Sequence, residues 1–322
     1  MMAGDSFTLG ELAEHRFGVG ASLRKSLRQI LGRPSGPVRI GARAGPISVL
    51  TQNMALLVAP APYLGTDRAG AVAEICARIR ALSPHIVGLC EVFKDSERDE
   101  IRTTVKDIYP YFLEGPDQFG VNFDGGLLLM SRFPLLASND FIFDACDGID
   151  CWANKGILHI RVRGTQWPTA LDIFYSHTQD ISTGAGQPTL HAQLADMREF
   201  IETHADPELP AIVMGDLNIP AERAADYARL LRTLDGFRDS WTLVGNPIAS
   251  GPTFVTNNTF YEDEYDRPGS DQRLDYILLR PADRVCPITS EVRIMRFTHN
   301  GLHISDHFGL HAVFNPVAVI DP

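Results

Sequence analysis

The sequence predicts an α/β protein, because short apolar runs with strand character alternate along it with segments of helical periodicity. Most of the apolar runs also end in a polar or titratable side chain, which is typical of strands that lead into a functional site. The chain has 322 residues, of which 44% are hydrophobic and 21% charged, as in globular proteins. We find no linker within residues 46–322, and therefore expect one domain there, preceded by an extension over residues 1–45.

Charge and cysteine content narrow the classes of function. The formal net charge of -11 disfavours binding of long nucleic acid, although an acidic metal pocket would contribute part of that charge. Five cysteines, an odd number without metal-type spacing, fit a reducing compartment better than a disulfide framework. The first ten residues lack the pattern of a signal peptide, and no run approaches the roughly 20 apolar residues of a membrane-spanning helix. We therefore expect a cytoplasmic protein.

A basic amphipathic helix is predicted over residues 22–31 of the extension. Leu23, Leu27, Ile30 and Leu31 share one helical face, whereas basic side chains occupy the rest. Such a helix can lie on an anionic membrane, which makes it a candidate for peripheral membrane contact. Packing against its own domain or a neighbouring chain explains the same pattern and is the preferred interpretation.

The remaining elements follow in order along residues 46–322. Helical spacing of apolar residues predicts helices over 68–82, 97–108, 189–204 and 221–234. Apolar runs predict strands over 46–53, 85–91, 125–131, 136–140, 157–163, 170–177, 273–279 and 310–314. A further apolar run, from Ala211 to Gly215, predicts a buried strand that delivers Asp216 and Asn218. The polar segment 251–270 contains Phe254 and Tyr261 and could cover a ligand, but its acidic stretch 262–264 favours a solvated surface.

Polar side chains at the strand ends form the predicted site. Asp216 and Asn218 lie two residues apart, so an extended backbone would point both to one side. Asn53 and Glu91 end two strands that are separated by a helix, which places them at the same end of one sheet. The complete set of strand-end residues is Asn53, Glu91, His177, Asp216, Asn218, Asp275, Asp306 and His307.

This set of residue types suits a hard divalent cation. Carboxylates, amides and imidazoles without cysteine are typical of sites for Mg²⁺, with Mn²⁺ as a second candidate, whereas zinc would require cysteine or clustered histidine. One histidine can take a proton from water while the other faces a phosphate. The set therefore predicts metal-assisted hydrolysis of a phosphoester.

At these residues the sequence resembles the endonuclease/exonuclease/phosphatase superfamily. The motifs that carry the resemblance are Gln52-Asn53, Leu89-Cys90-Glu91-Val92-Phe93, Ser176-His177-Thr178-Gln179, Gly215-Asp216-Leu217-Asn218, Arg273-Leu274-Asp275-Tyr276 and Ser305-Asp306-His307. The resemblance implies a DNase I-like four-layer sandwich, in which helices flank two packed mixed β-sheets. It implies metal ligation by Glu91, Asn53 and Asp306, and a general base, His307, oriented by Asp275. It further implies that Asp216 and Asn218 position the nucleophile and phosphate, and that His177 stabilises the charged phosphorane.

The segment Asp150-Cys151-Trp152-Ala153-Asn154-Lys155-Gly156 resembles a segment of neutral and bacterial sphingomyelinases. Within it, Lys155 can stabilise charge on a phosphate, and Asp150 can pair with Lys155 when the site is empty. Two features differ from these relatives. Cys90 stands where the family usually has Gln, and the segment between Asp275 and Asp306 is short for the aromatic hairpin of the secreted bacterial enzymes.

These features together predict a Mg²⁺-dependent phosphodiesterase of the sphingomyelinase type, with a phospholipid as substrate. The alternatives are a metal-dependent nuclease on the same fold, and a binding scaffold that has lost catalysis. A nuclease would be expected to carry basic and aromatic loops beside the site, whereas the loops here are acidic or short. The sequence does not determine the headgroup, the number of metal ions or the oligomeric state.

Overall fold

The computed structural model describes residues 45–58, 67–118, 123–181, 186–261, 267–282 and 285–318. The predicted helix at 22–31 and the acidic stretch 262–264 lie outside these ranges. None of the helices among the described residues is both long and apolar enough to cross a membrane.

The first sheet has six strands, which are β1 (Ile47–Leu56), β2 (Ile86–Val92), β3 (Tyr111–Gly115), β4 (Leu127–Ser131), β11 (Val285–Met295) and β14 (Gly309–Ala318). Their order across the sheet is β11-β14-β1-β2-β4-β3. Helix α1 (Arg68–Leu82) connects β1 to β2, and these two strands are parallel, whereas all other neighbours in the sheet are antiparallel. This crossover brings the ends of β1 and β2 to the same edge, as the sequence predicted.

The second sheet also has six strands, which are β5 (Leu135–Ile142), β6 (Gly156–Val162), β7 (Leu171–His177), β8 (Ala211–Asp216), β9 (Arg238–Asp239) and β10 (Asp275–Arg280). Their order across the sheet is β5-β6-β7-β8-β10-β9. Helix α3 (Gly186–His204) connects β7 to β8, which form the one parallel pair of this sheet. A small hairpin of β12 (Thr298–His299) and β13 (Leu302–His303) stands apart from both sheets.

The two sheets pack face to face on a shared apolar core. Side chains from both contribute to it, including Val49 and Leu129 from the first sheet and Ile160 and Met214 from the second. Helices α1 and α2 (Asp95–Val105) cover the outer face of the first sheet. Helices α3 and α4 (Ala224–Thr233) cover the outer face of the second, and a short helix α5 (Ser240–Leu243) follows β9. The four-layer sandwich implied by the family resemblance is therefore confirmed.

The elements predicted within residues 46–322 are present with shifts of a few residues at their ends, and α1 begins and ends where the sequence predicted. The sequence analysis missed several strands, of which β11 is the longest. Residues in β11 alternate between buried and exposed positions, and the strand lies at the sheet edge and contains Pro287. Proline is tolerated at an edge but weakens the local strand pattern, which explains the omission.

Candidate active site

A cleft of about 450 Å³ opens at the end of the sandwich where both parallel strand pairs finish. Strand register places the predicted residues there. Cys90 pairs with Asn53, so Glu91 lies one residue further along β2. Asp216 pairs with His177 on one side and with Asp275 on the other. The cleft is thus built from adjacent strand ends, as the sequence predicted for Asn53 and Glu91.

Asn53 connects the two sheets inside the cleft. Its Nδ2 donates to Glu91 Oε1 at 2.9 Å and to Asp216 Oδ2 at 3.0 Å. Its Oδ1 accepts from the backbone N–H of Ala55 at 3.0 Å, which fixes the orientation of the amide. Asn53 and Asp216 are almost completely buried, whereas the Glu91 side chain is 15% exposed and faces the cleft. Glu91 is therefore the carboxylate of this group that an incoming ligand can reach.

The backbone after β8 is not extended, which corrects the predicted geometry for Asp216 and Asn218. Asn218 has φ of 50°, and its N–H donates to Asp216 Oδ1 at 3.0 Å. The turn starts at Gly215, whose φ is 138° and where a Cβ would lie 1.9 Å from the carbonyl oxygen of Ser176. Both side chains still line the cleft. The Asn218 amide is held there by its hydrogen bond to the Thr178 carbonyl, at 2.9 Å.

His307 lies between two carboxylates. Its Nδ1 is 2.8 Å from Asp275 Oδ2, and its Nε2 is 3.6 Å from Asp216 Oδ2. Burial lowers the pKa of His307, but the charges of Asp216 and Asp275 outweigh it and raise this pKa well above the usual value. The hydrogen bond to Asp275 occupies Nδ1 and leaves Nε2 as the ring nitrogen that faces the cleft.

Lys155 is almost completely buried and contacts three polar groups. Its Nζ donates to the Thr178 carbonyl at 2.8 Å, lies 3.0 Å from His177 Nε2, and lies 3.2 Å from Asp150 Oδ2. The ion pair with Asp150 is the one that the sequence predicted. Burial and the charge of Lys155 lower the pKa of His177 to about 3, so the imidazole is neutral and its Nε2 accepts from Lys155.

Asp306 lines the same cleft and lies close enough to Glu91 that burial and the charge of Asp306 together raise the pKa of the Glu91 carboxyl. Tyr261 donates its hydroxyl to Asp306 Oδ2 at 3.2 Å. The Ser305 hydroxyl donates to the Asn53 carbonyl at 2.6 Å and lies 3.3 Å from Asp306 Oδ1. This contact joins the start of the last strand to the end of β1, so all ten predicted site residues contact or line one region. Their catalytic roles stay predictions.

Four contributors to the site were missed or misassigned from the sequence. The Phe254 ring lies 4.9 Å from the His307 ring, and Thr253 Oγ1 accepts from the backbone N–H of Asp275 at 3.3 Å. Phe254 and Tyr261 therefore line the cleft, and the expectation of a solvated surface for segment 251–270 is wrong at these positions. Thr178 supplies the carbonyl shared by Lys155 and Asn218. The aromatic residues in a polar loop were the available signal.

A disulfide joins Cys146 to Cys151 beside the cleft, which corrects the expectation that the cysteines are free thiols. The two Cα atoms lie 5.1 Å apart, within the range that a disulfide spans. Cys76, Cys90 and Cys286 are unpaired. One short-range bridge uses two of the five cysteines, and the cysteine argument for a cytoplasmic location no longer applies.

The donor set of the cleft fits a hard divalent cation. Burial and the neighbouring charge of Asp306 raise the pKa of Glu91 to about 8, which marks a carboxylate whose negative charge is poorly compensated by the protein. A cation next to Glu91 would compensate that charge, and amide and carboxylate oxygens suit Mg²⁺. A second group of potential ligands, with atoms within 4.8 Å of one another, is formed by Asp216, Asp275 and His307. The hydrogen bond between His307 and Asp275 explains why side chains of that second group lie close together without a bound ion.

A family model described as the Endonuclease/Exonuclease/phosphatase family matches residues 50–307. Among curated proteins, a phospholipase C of Staphylococcus aureus is 22% identical over 211 residues. That match covers 58% of this chain and 59% of the relative, so the chain matches less than two thirds of the relative's length.

Several solved structures share the fold. Sphingomyelinase C from Streptomyces griseocarneus has a TM-score of 0.66 and 22% identity, with 84% of this chain and all of that chain covered. Beta toxin from Staphylococcus aureus with bound magnesium ions has a TM-score of 0.66 and 18% identity, covering 83% and 99%. TDP2 of D. rerio in complex with a single-strand DNA product has a TM-score of 0.66 and 20% identity, covering 84% and 99%.

Proposed function

Since the chain belongs to the endonuclease/exonuclease/phosphatase family, we propose that it is a metal-dependent phosphodiesterase that cleaves the headgroup ester of a choline phospholipid. The proposed reaction converts sphingomyelin to ceramide and phosphocholine. The sequence likeness to a phospholipase C supports the choice of substrate class. The bound magnesium of the similar beta toxin supports Mg²⁺ as the cofactor, with Mn²⁺ as the second candidate.

The observation that carries this proposal is the position of Lys155. An ammonium that is 5% exposed lies in the same cleft as Glu91 and His307, where low solvent access strengthens its attraction for a phosphodiester. Asp150 compensates its charge at 3.2 Å before a substrate binds. Negative charge grows on the phosphoryl oxygens as water attacks, so a fixed cation there stabilises the transition state more than the ground state.

Other residues of the chain supply proton transfer and orientation. His307 would act as the general base through Nε2, because Asp275 occupies Nδ1. Asp216 and Asp275 raise the pKa of His307, so this role requires that a cation beside Glu91 lower that pKa and favour loss of the Nε2 proton. Asp216 lies 3.6 Å from that Nε2 and would orient the attacking water. Asn218 is held by the Thr178 carbonyl and would position a phosphoryl oxygen. Glu91 and Asp306 would hold a divalent cation, which would polarise the phosphoryl group and stabilise its developing charge. Asn53, whose amide N–H groups donate to Glu91 and Asp216, would orient Glu91 toward that cation.

A nuclease is the second candidate, because TDP2 with its single-strand DNA product matches with the same TM-score as sphingomyelinase C. Fold similarity therefore does not favour one substrate over the other. The formal net charge of -11 and the acidic Asp180 in the lining of the cleft disfavour the backbone of a long nucleic acid. This electrostatic argument supports the lipid substrate.

The test is a parallel assay of the purified protein with Mg²⁺ against sphingomyelin, phosphatidylcholine, and single- and double-stranded DNA. We expect release of phosphocholine from mixed micelles, and a decrease of about 100-fold for Lys155→Ala with partial recovery in Lys155→Arg. Chelation of Mg²⁺ should abolish the activity. DNA cleavage without headgroup release would replace the lipid proposal with the nuclease.

A further inference from the structure

Next to the cleft, an exposed apolar surface is formed by Ile149, Trp152 and Phe123, which are 57%, 56% and 39% exposed. Ile149 and Trp152 belong to a 3-10 helix (Gly148–Trp152). Because such a helix has three residues per turn, side chains three positions apart lie on the same face. The Phe123 N–H donates to the Trp152 carbonyl at 2.9 Å, and the Asn154 N–H donates to the Phe123 carbonyl at 3.0 Å. These bonds bring Phe123 alongside Trp152.

The inner side of the same 3-10 helix is anchored to the protein. The disulfide between Cys146 and Cys151 closes the turn. Asp150 Oδ2 accepts from the Asp180 N–H at 2.9 Å, and the Asp147 N–H donates to Gln179 Oε1 at 2.9 Å. The apolar surface is therefore held in place before any ligand binds, which lowers the entropy cost of binding through it.

We propose that this apolar surface rests on a zwitterionic lipid surface and thereby places the cleft over the headgroup. This inference relies on the proposed phospholipid substrate. Ile149 lines the cleft together with Asp150 and Lys155, so the apolar surface is continuous with the site that would receive the headgroup. Tryptophan is suited to such a position because its large apolar ring and its N–H favour the boundary between lipid and water.

The charge beside the apolar surface indicates which lipid fits. Asp144 and Asp147 lie in the segment that leads into the 3-10 helix, and the whole chain carries a net charge of -11. Anionic headgroups would be repelled by these carboxylates, whereas a choline headgroup presents its cationic end outward. Electrostatics therefore favours phosphatidylcholine or sphingomyelin surfaces over phosphatidylglycerol surfaces.

Trp152 provides a direct readout of the contact. The chain has three tryptophans, and the other two, Trp167 and Trp241, are 4% and 8% exposed. Insertion of Trp152 into lipid should shift the fluorescence emission to shorter wavelength and protect it from acrylamide. In the experiment, vesicles of phosphatidylcholine and sphingomyelin are titrated into the full-length protein in the absence of divalent cations. A parallel titration uses vesicles that contain phosphatidylglycerol.

The test variant combines Phe123→Ser with Trp152→Ser, and the matched control is Leu136→Ser. Leu136 is 57% exposed and lies in β5 at the end remote from the cleft, since Ile142 pairs with Gly156 and Leu135 pairs with Val162. We expect the double variant to lower the vesicle-bound fraction at limiting lipid by about tenfold, as measured by flotation. Hydrolysis of vesicle substrate with Mg²⁺ should fall equally, while hydrolysis of a water-soluble choline phosphodiester stays unchanged. The control should match the wild type in every assay.

Three results would overturn the proposed surface. They are an emission of Trp152 that vesicles leave unchanged, binding of the double variant to phosphatidylcholine vesicles equal to that of the wild type, and a larger shift of the Trp152 emission with phosphatidylglycerol than with phosphatidylcholine. A dimer that the double variant converts to a monomer would instead assign the surface to self-association. Failure of the proposed function is distinguishable, because the wild type would then bind vesicles with the emission shift but hydrolyse neither lipid nor the soluble phosphodiester.

Discussion

At the scale of single residues, the backbone is strained at two residues of the cleft that have predicted roles. Glu91 and Asn218 have φ of 55° and 50°, a left-handed conformation that costs most residues other than glycine about 1–2 kcal/mol and asparagine less. Asn53 contacts the Glu91 side chain and the Thr178 carbonyl holds that of Asn218. Strain that persists at adjoining positions of one cleft supports a functional requirement for the direction of these side chains.

Replacing Glu91 with Gln should abolish most of the metal-dependent turnover. The substitution keeps the size of the side chain but removes the negative charge that would face the cation. We expect the affinity for Mg²⁺ to fall by about 100-fold or more, measured by isothermal titration calorimetry and by the Mg²⁺ dependence of the rate. Glu202→Gln, at an exposed position of α3, is the control. Normal rates at low Mg²⁺ would show that Glu91 is not a metal ligand.

Replacing His307 with Ala, or Asp275 with Asn, should lower kcat while leaving KM within about threefold, because a general base acts mainly in the transition state. The expected loss is about 10²–10⁴-fold for His307→Ala. Steady-state kinetics on a soluble phosphodiester measure both constants. His191→Ala, in α3 away from the cleft, should behave as the wild type. A loss below tenfold would contradict the assignment of the base.

At the scale of elements, the strand pair β6–β7 depends on one buried carboxylate. Asp172 accepts from His159 Nε2 at 2.9 Å, from Arg161 Nε at 2.7 Å and from the Asp206 N–H at 2.9 Å. Burial alone would raise the pKa of Asp172, but these hydrogen bonds lower it below the ordinary value of 3.8. Ionised Asp172 thus stabilises the folded state.

The Asp172→Asn variant should be destabilised by about 3–5 kcal/mol at pH 7, because the buried His159 and the partly buried Arg161 lose their charged partner. Since the folded pKa lies below the unfolded pKa, this stabilisation is complete above the unfolded value of 3.8 and is lost as pH falls through the folded value. Urea unfolding of both proteins from pH 7 downward measures the difference, which should shrink below pH 3.8. The exposed Asp99→Asn serves as the control. A difference that is constant across this range would contradict the prediction.

At the scale of the whole molecule, one apolar core joins the two sheets, so they should unfold together. Ile160 is fully buried within that core, and Ile160→Ala should cost about 2–5 kcal/mol. Circular dichroism and the fluorescence of buried Trp167 and Trp241 should report the same unfolding midpoint in urea. Ile288→Ala, at a position that is 53% exposed, should change stability little. Separate midpoints would show that the sheets unfold independently.

The sequence by itself determined the helices and strands with strong periodicity, and the residues that meet in the cleft. Helix α1 and strands such as β7 can be predicted from local apolar patterns. A helix that buries one face shows apolar residues at helical spacing, and a fully buried strand shows a short continuous apolar run. The polar ends of the strands followed in the same way. Parallel crossovers then require that Asn53 and Glu91 share an edge, and the structure confirms it.

Only the tertiary structure decided the features that depend on the path of the chain. Strand β11 is recognisable by its pairing with β14, because Pro287 interrupts the strand pattern of its own sequence. The disulfide depends on a 5.1 Å approach of two Cα atoms, and the place of Phe254 depends on contact with His307 across the fold. The left-handed turn at Asn218 is likewise imposed by its partners. Local sequence records which residues prefer burial, whereas distance, register and contact arise when remote segments pack together.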